Sequence, residues 1–287
     1  MDIKSVVVIG AGTMGSGIAQ WFASHFINVE LVDANSQQLE KALTSIHSSW
    51  EKLVEKEKLT SCKSEQMKKF LEVKELKDAN KNADLVIEAI IENLEIKKTL
   101  FKNLDESFSE ETILASNTSS FPITLLSEAV SNERKDKFIG LHFFNPATIM
   151  KLVEVILGDK TSPELAKNLY DWFDQKDKKP ALCKDSPGFI VNRVARNFYG
   201  EPLRIVDTDN EAKMKEVDQI LRDVGGFKMG PFELMDLIGI DINYSVTCSV
   251  WDAYHKEPRF APHKLQKQMV DEGRFGRKTK KGFYRYE

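Results

Sequence analysis

From Lys4 to Ile9 the chain is almost unbroken in apolar side chains, the pattern of a strand buried on both faces of a parallel sheet. A glycine-rich turn follows, then Met14 to Phe26 at helical spacing, then Val29-Glu30-Leu31-Val32 ending at Asp33. Strand, helix and strand within about 30 residues make a βαβ unit, whose crossover is right-handed. Apolar bursts recur at Asp84–Ala89, Ile113–Ser116 and Phe138–Phe143, with helical segments between them. That alternation predicts an α/β Rossmann-type doubly wound sheet. Between Glu51 and Lys81, lysines and acids alternate with a few apolar positions. This predicts a pair of exposed amphipathic helices laced with i,i+4 ion pairs.

Turn residues at Asp185-Ser186-Pro187-Gly188 follow the last strand, Pro180 to Lys184, and mark a boundary. Beyond it the apolar spacing is helical: Phe189 to Ile205, Lys213 to Leu221, Pro231 to Asp236. The expected organisation is a nucleotide-binding domain over 1–186 and an all-α C-terminal domain over 187–287. Pro202 falls inside a helix and should break or kink it.

The length of 287 residues fits two domains. Lysine plus arginine number 41 against 44 acids, a net charge of -3, which offers no footprint for nucleic acid or an anionic membrane. No stretch reads as a membrane span: Ser5–Val29 lacks charged residues but is rich in glycine and polar side chains. Cys62, Cys183 and Cys248 are widely spaced and form no metal or disulfide pattern. An intracellular soluble protein is expected, with no metal.

Gly10-Ala11-Gly12-Thr13-Met14-Gly15 matches G-x-G-x-x-G, and it sits where the dinucleotide mechanism needs it, between a buried strand and a helix. Gly10 would make the tight turn, Gly12 would admit a pyrophosphate, and Gly15 would let helix and strand pack closely. The first helical amides, at Thr13 and Met14, face the phosphates. Asp33, 18 residues after Gly15, can bond the adenosine ribose hydroxyls and would repel a 2′-phosphate, so NAD is expected over NADP. Among the five histidines, His142 ends an apolar strand, where α/β sheets place their ligands. Glu154 interrupts another apolar strand, which is costly unless it is paired. A His142–Glu154 pair would fix the imidazole tautomer and stabilise imidazolium. Spacing alone leaves open a satisfied core histidine and an edge-strand glutamate.

Several blocks resemble the short-chain L-3-hydroxyacyl-CoA dehydrogenases, including the 3-hydroxybutyryl-CoA dehydrogenases. They are VVVIGAGTMGSGIAQ, DLVIEAIIENLEIK, ASNTSS, GLHFFNPATIMKLVEV, KDSPGFIVNR, GGFKMGPFELMDLIGID and KKGFY. The likeness runs nearly end to end. It implies that His142 is the general base for the 3-hydroxyl proton, that Glu154 orients it, and that Ser119 and Asn192 bond the substrate oxygen. It also implies cofactor contacts at Glu92, Lys97, Ser119, Asn145 and Lys278, the last reaching across the interdomain cleft. Ser49 and Lys56 align with positions that meet the CoA moiety. The partners implied are an acyl-CoA substrate and a second copy of the chain. The homodimer would form through the helical domain, with Trp251, Tyr254 and Phe260 on its face. The compartment implied is the mitochondrial matrix in a eukaryote and the cytoplasm in a bacterium. The stretches Val194–Leu203 and Asp241–Val250 look more like the bacterial-type enzymes, including those acting on 3-hydroxyadipyl-CoA. A catalytically silent relative, as in lens λ-crystallin, is the competing reading, and a β-hydroxyacid dehydrogenase lacks its GNxGxG support here.

Overall fold

In the computed structural model, which describes residues 1–287, the chain divides into two units, Met1–Ser186 and Pro187–Glu287. The first begins with β1 (Ser5–Ile9), α1 (Thr13–Ser24), β2 (Asn28–Val32), α2 (Ser36–Glu55), α3 (Ser61–Lys68) and β3 (Leu71–Lys74). It continues with β4 (Leu85–Glu88), α4 (Leu94–Ser107), β5 (Ile113–Ser116), α5 (Ile123–Ser127), β6 (Phe138–Phe143), β7 (Leu152–Leu157), α6 (Pro163–Gln175) and β8 (Lys179–Lys184). The eight strands form one sheet in the order β3-β2-β1-β4-β5-β6-β7-β8. Every pairing is parallel except β6 with β7. The order reverses direction at β1 and β4, which opens a crevice at their carboxyl ends.

Val6, Val7, Val8 and Ile9 are all buried, as expected of a strand covered by helices on both faces. Behind β1 and β6, Trp21 and Phe22 of α1 pack with Phe143, Trp172 and Phe173. This aromatic cluster seats the helix that starts at the glycine loop against the strand that carries His142.

The charged stretch from Glu51 to Lys81 differs from its expectation. The end of α2 and all of α3 are helical there, but Leu71–Lys74 is a strand added at the sheet edge beside β2. Its ion pairs join different elements or neighbouring turns: Lys68 with Glu51 and Glu65, and Lys74 with Glu30 and Glu72. None of these is an i,i+4 pair. A short edge strand with one solvated face accepts alternating lysine and glutamate, so its pattern mimics a polar helix.

The second unit is helical: α7 (Val191–Val206), α8 (Glu211–Asp223), α9 (Pro231–Ile238), α10 (Ile240–Ala253) and α11 (Lys264–Asp271). Tyr199, Leu203, Met214, Phe232, Met235, Ile240, Met269 and Phe283 form its core. Pro202 does not break α7, which runs on to Val206. The proline removes one ladder bond, and burial of Pro202, Leu203 and Val206 holds the last turn in place. Phe260, expected on a subunit face, is buried within its own unit, its ring 4.7 Å from that of Tyr254. It has no surface to offer a second copy. No helix is long and apolar enough to cross a membrane.

Candidate active site

The glycine loop has the form its sequence demands. Gly10 adopts φ +106°, and a Cβ there would lie 2.5 Å from the Ala89 carbonyl oxygen. A Cβ on Gly15 would lie 1.7 Å from the Gly10 carbonyl oxygen, so any side chain would push α1 off β1. Gly12 is the N-cap of α1, with no side chain to cap the first amides. Nothing lies within 4 Å of where its Cβ would be. The helix therefore presents bare N–H groups and its positive dipole end to open space, a cradle that fits a pyrophosphate.

Beside it a cleft of about 1100 Å³ is walled by Gly10, Gly12, Asp33, Leu76, Ile91 and Ile96, among others. Asp33 accepts hydrogen bonds from Ala11 N (2.7 Å) and Asn35 N (2.9 Å). It thus ties the glycine loop to the end of β2, and a carboxylate has further lone pairs for hydroxyls in the cleft. Gln38, which the sequence did not single out, donates to the Ala11 carbonyl (2.9 Å) and braces the same loop.

At the carboxyl ends of β4 and β5 lies a buried charge network. Glu88 accepts from Lys97 Nζ, Ile90 N (2.8 Å) and Ser116 Oγ (2.6 Å). Lys97 is 1% exposed and also meets Glu92 at 3.1 Å. Glu92 in turn accepts from Thr118 Oγ, Ser119 N, Ser120 N and Ser120 Oγ. Burial alone would raise the Glu92 carboxyl, but the Lys97 ammonium and these hydrogen bonds outweigh it and hold it below the usual glutamate value. The expected cofactor residues Glu92, Lys97 and Ser119 are thus brought together. Glu88 and Ser116, which complete the network, look in the sequence like mere ends of apolar strands.

On the next strands His142 and Glu154 stand opposite each other in the antiparallel β6–β7 register. His142 Nδ1 lies 2.7 Å from Glu154 Oε2, and both residues are buried. Because β8 covers its other side, β7 is not an edge strand. A carboxylate can only accept, so the hydrogen of this bond sits on Nδ1. The Phe144 ring, 4.5 Å away, packs against the imidazole.

Asn145 lies just beyond β6. It helps to line a second groove, of about 380 Å³, with Gly12, Gln20, Lys41, Ser45 and Thr148. Ser45 is also a wall of a third groove, which contains Ser49, Lys52 and Lys56. The two residues expected to meet CoA are therefore brought to one groove on α2, adjoining the one that holds Asn145. Lys178 is a further residue that the sequence did not reveal. Its buried ammonium donates to the Ala147 (2.6 Å) and Met150 (2.7 Å) carbonyls and lies 4.8 Å from the centre of the Trp21 ring. Burial pushes it down to about 8. It pins the loop that follows Asn145.

The other two expected residues belong to the second unit. Asn192 is in the first turn of α7, and its carbonyl accepts from Arg196 Nε at 3.0 Å. Lys278, expected to reach the cofactor, is paired with Asp241 of its own unit at 2.6 Å.

Residues 5–186 match the model of the 3-hydroxyacyl-CoA dehydrogenase NAD binding domain, and residues 188–286 that of the same family's C-terminal domain. The chain belongs to the 3-hydroxyacyl-CoA dehydrogenase family. It is accordingly an NAD-dependent oxidoreductase of 3-hydroxyacyl-CoA thioesters.

Within this family it is 40% identical over 295 residues to the mitochondrial hydroxyacyl-coenzyme A dehydrogenase of Sus scrofa, covering 99% of this chain and 92% of the relative. It is 44% identical over 285 residues to the 3-hydroxyadipyl-CoA dehydrogenase of Escherichia coli, covering 99% of this chain but only 59% of that longer protein. The crystal structure of (S)-3-hydroxybutyryl-CoA dehydrogenase from Ralstonia eutropha superposes with a TM-score of 0.92 at 36% identity, each chain covered in full.

Proposed function

We propose that the chain oxidises (S)-3-hydroxyacyl-CoA to 3-ketoacyl-CoA with His142 as general base and Glu154 as its orienting partner, and that short acyl chains are preferred. The observation that carries the reading is the buried His142–Glu154 pair, 2.7 Å apart near the carboxyl end of β6. A histidine whose Nδ1 proton is committed to a carboxylate has only Nε2 with which to take a proton, and imidazolium formed there is stabilised by the same carboxylate. Bound NAD supplies the acceptor for the substrate's two electrons. Ser119 and Asn192 are proposed to steady the substrate oxygen as it becomes a carbonyl, a role for fixed hydrogen-bond donors. Ser49 and Lys56 are proposed to hold the CoA arm, and the adjoining grooves along α2 favour this reading. Binding energy from that remote arm positions the reacting carbon.

The test is NADH formation from a panel of 3-hydroxybutyryl-, hexanoyl-, decanoyl- and adipyl-CoA. The highest kcat/KM is expected at butyryl or hexanoyl. A clear adipyl preference would replace the short-chain reading with one resembling the Escherichia coli relative, and silence on all four with NAD still bound would favour a non-catalytic protein. The second unit is proposed to mediate a homodimer: Ile205, Val224, Phe227, Leu237 and Ile242 leave their apolar side chains exposed there. Sedimentation as a monomer at micromolar concentration would reject that association.

A further inference from the structure

We infer that Glu92 sets the preference of the site for one oxidation state of its dinucleotide, holding NAD+ more tightly relative to NADH than the rest of the site would. The inference rests on the functional reading above and concerns charge balance at the carboxyl ends of β4 and β5. Glu88 and Lys97, both fully buried, form one balanced ion pair. Glu92 is a second carboxylate on the same ammonium, 3.1 Å away. Its remaining partners, the Thr118 and Ser120 hydroxyls and the Ser119 and Ser120 amides, are neutral donors. They stabilise the carboxylate without cancelling its charge. The neighbouring Lys98 is turned to Glu128 instead. The three ionised groups therefore carry a net single negative charge, and Glu92, 37% exposed at its side chain, is the member that reaches the surface of the site.

The place of this charge matters. Ala89, Ile90 and Ile91, just ahead of Glu92, line the cleft that holds Asp33. Past it on the other side, β5 leads to Ser119 and β6 carries His142. The redox-active end of a dinucleotide whose adenosine lies by Asp33 and whose substrate meets His142 must cross the ends of β4 and β5. NAD+ and NADH differ by one positive charge, located on the nicotinamide ring. A carboxylate there attracts one form and is indifferent to the other. Asp33, at the adenosine end, sees the same ligand in both. The consequence for turnover is that NADH, once formed, is released more readily than from a charge-balanced site.

The experiment measures dissociation constants for NAD+ and NADH by calorimetry, without substrate, in the wild type and in Glu92→Gln, Glu92→Ala, Glu92→Asp and Asp33→Ala. Removing the charge should shift the Kd ratio of NADH to NAD+ towards NADH by about tenfold, the scale of one partly screened unit charge within a few ångströms. Glu92→Asp keeps the charge and should stay within about twofold of the wild type on the same scale. Asp33→Ala should weaken both ligands and leave their ratio unchanged. Alanine is included because a glutamine that keeps its oxygen on the Thr118, Ser119 and Ser120 donors would set its amide N–H against the Lys97 ammonium. An unchanged ratio in the folded neutral variants, or an equal shift in Glu92→Asp, would overturn the inference while leaving the dehydrogenase reading intact. Failure of the wild type to bind either dinucleotide would instead overturn the reading itself, and the inference with it.

Discussion

Both units bury carboxylates, but they spend them differently. In the first, Glu154 is bonded to His142, and Glu88 to Lys97 and Ser116. Apart from the Ile90 amide on Glu88, their partners are side chains: an imidazole, an ammonium and a hydroxyl. In the second, Asp218 accepts from Phe232 N, Glu233 N and Tyr284 Oη, and Asp236 accepts from Phe283 N, Tyr284 N and Tyr286 Oη. These partners are backbone amides and phenols, and together the two aspartates fasten the C-terminal segment to α8 and α9. A buried carboxylate thus pairs with polar side chains at the proposed site in one unit and closes a fold in the other. The distinction lies in what the carboxylate touches, not in how deeply it is buried.

Substitutions can break this comparison from either side. The largest effect belongs to His142→Gln, which removes the proposed base and should lower kcat by ~10²–10⁴ while the melting temperature and NAD affinity stay near those of the wild type. Turnover within about tenfold of the wild type would exclude the histidine mechanism on that same scale. The mirror experiment is Asp236→Ala. Two buried amides and the Tyr286 hydroxyl lose their acceptor, which should cost about 2–4 kcal/mol in chemical denaturation. NAD affinity, a property of the first unit, should not follow. A comparable loss of NAD affinity in Asp236→Ala would show that the two roles are not separable.

A smaller effect is expected at Asp33, whose carboxylate serves both purposes: it braces Ala11 and Asn35 and faces the cleft. Asp33→Ala should weaken NAD by about tenfold, the worth of a charge-assisted hydrogen bond or two, and NADP by less because the repulsion of a 2′-phosphate is removed as well. Equal weakening of both dinucleotides in a binding titration would assign Asp33 to the loop alone.

How much of this could be read from the sequence follows the range of the interactions involved. The inner parallel strands β1, β4 and β5 are legible because each is a nearly continuous apolar run, and the glycine loop because its steric demands are local. His142 and Glu154 could be suspected because a charge inside an apolar strand calls for a partner. Glu88 could not be told apart from the strand around it: its partners are Lys97, on the following helix, and Ser116, on the next strand, and only the β4–β5 register brings that serine alongside. Lys178 is hidden for the same reason, since the carbonyls it serves lie in the loop beyond β6. The edge strand Leu71–Lys74 was obscured by its own solvated pattern.

The smallest effect is one of sign. Burial raises the Asp218 and Asp236 carboxyls above their ordinary value, against the hydrogen bonds they accept. The folded protein then binds protons more tightly than the unfolded chain, so their contribution to stability is complete below pH ~4 and is lost as the pH rises through the folded pKa. Glu92 has the opposite sign: its lowered pKa gives a contribution present above the unfolded value of ~4.3 and lost as the pH falls through the folded one. Relative to Asp236→Asn, the wild type should therefore gain melting temperature as the pH is lowered from neutral through the raised folded pKa towards the unfolded value of ~4. Relative to Glu92→Gln, it should lose its advantage between pH 5 and pH 3. Shifts of a few degrees are expected, since ~1 kcal/mol moves the midpoint of a domain this size by about 2–4 °C. Slopes of the same sign in both variants would mean that the two units do not differ in how burial and pairing balance at their carboxylates.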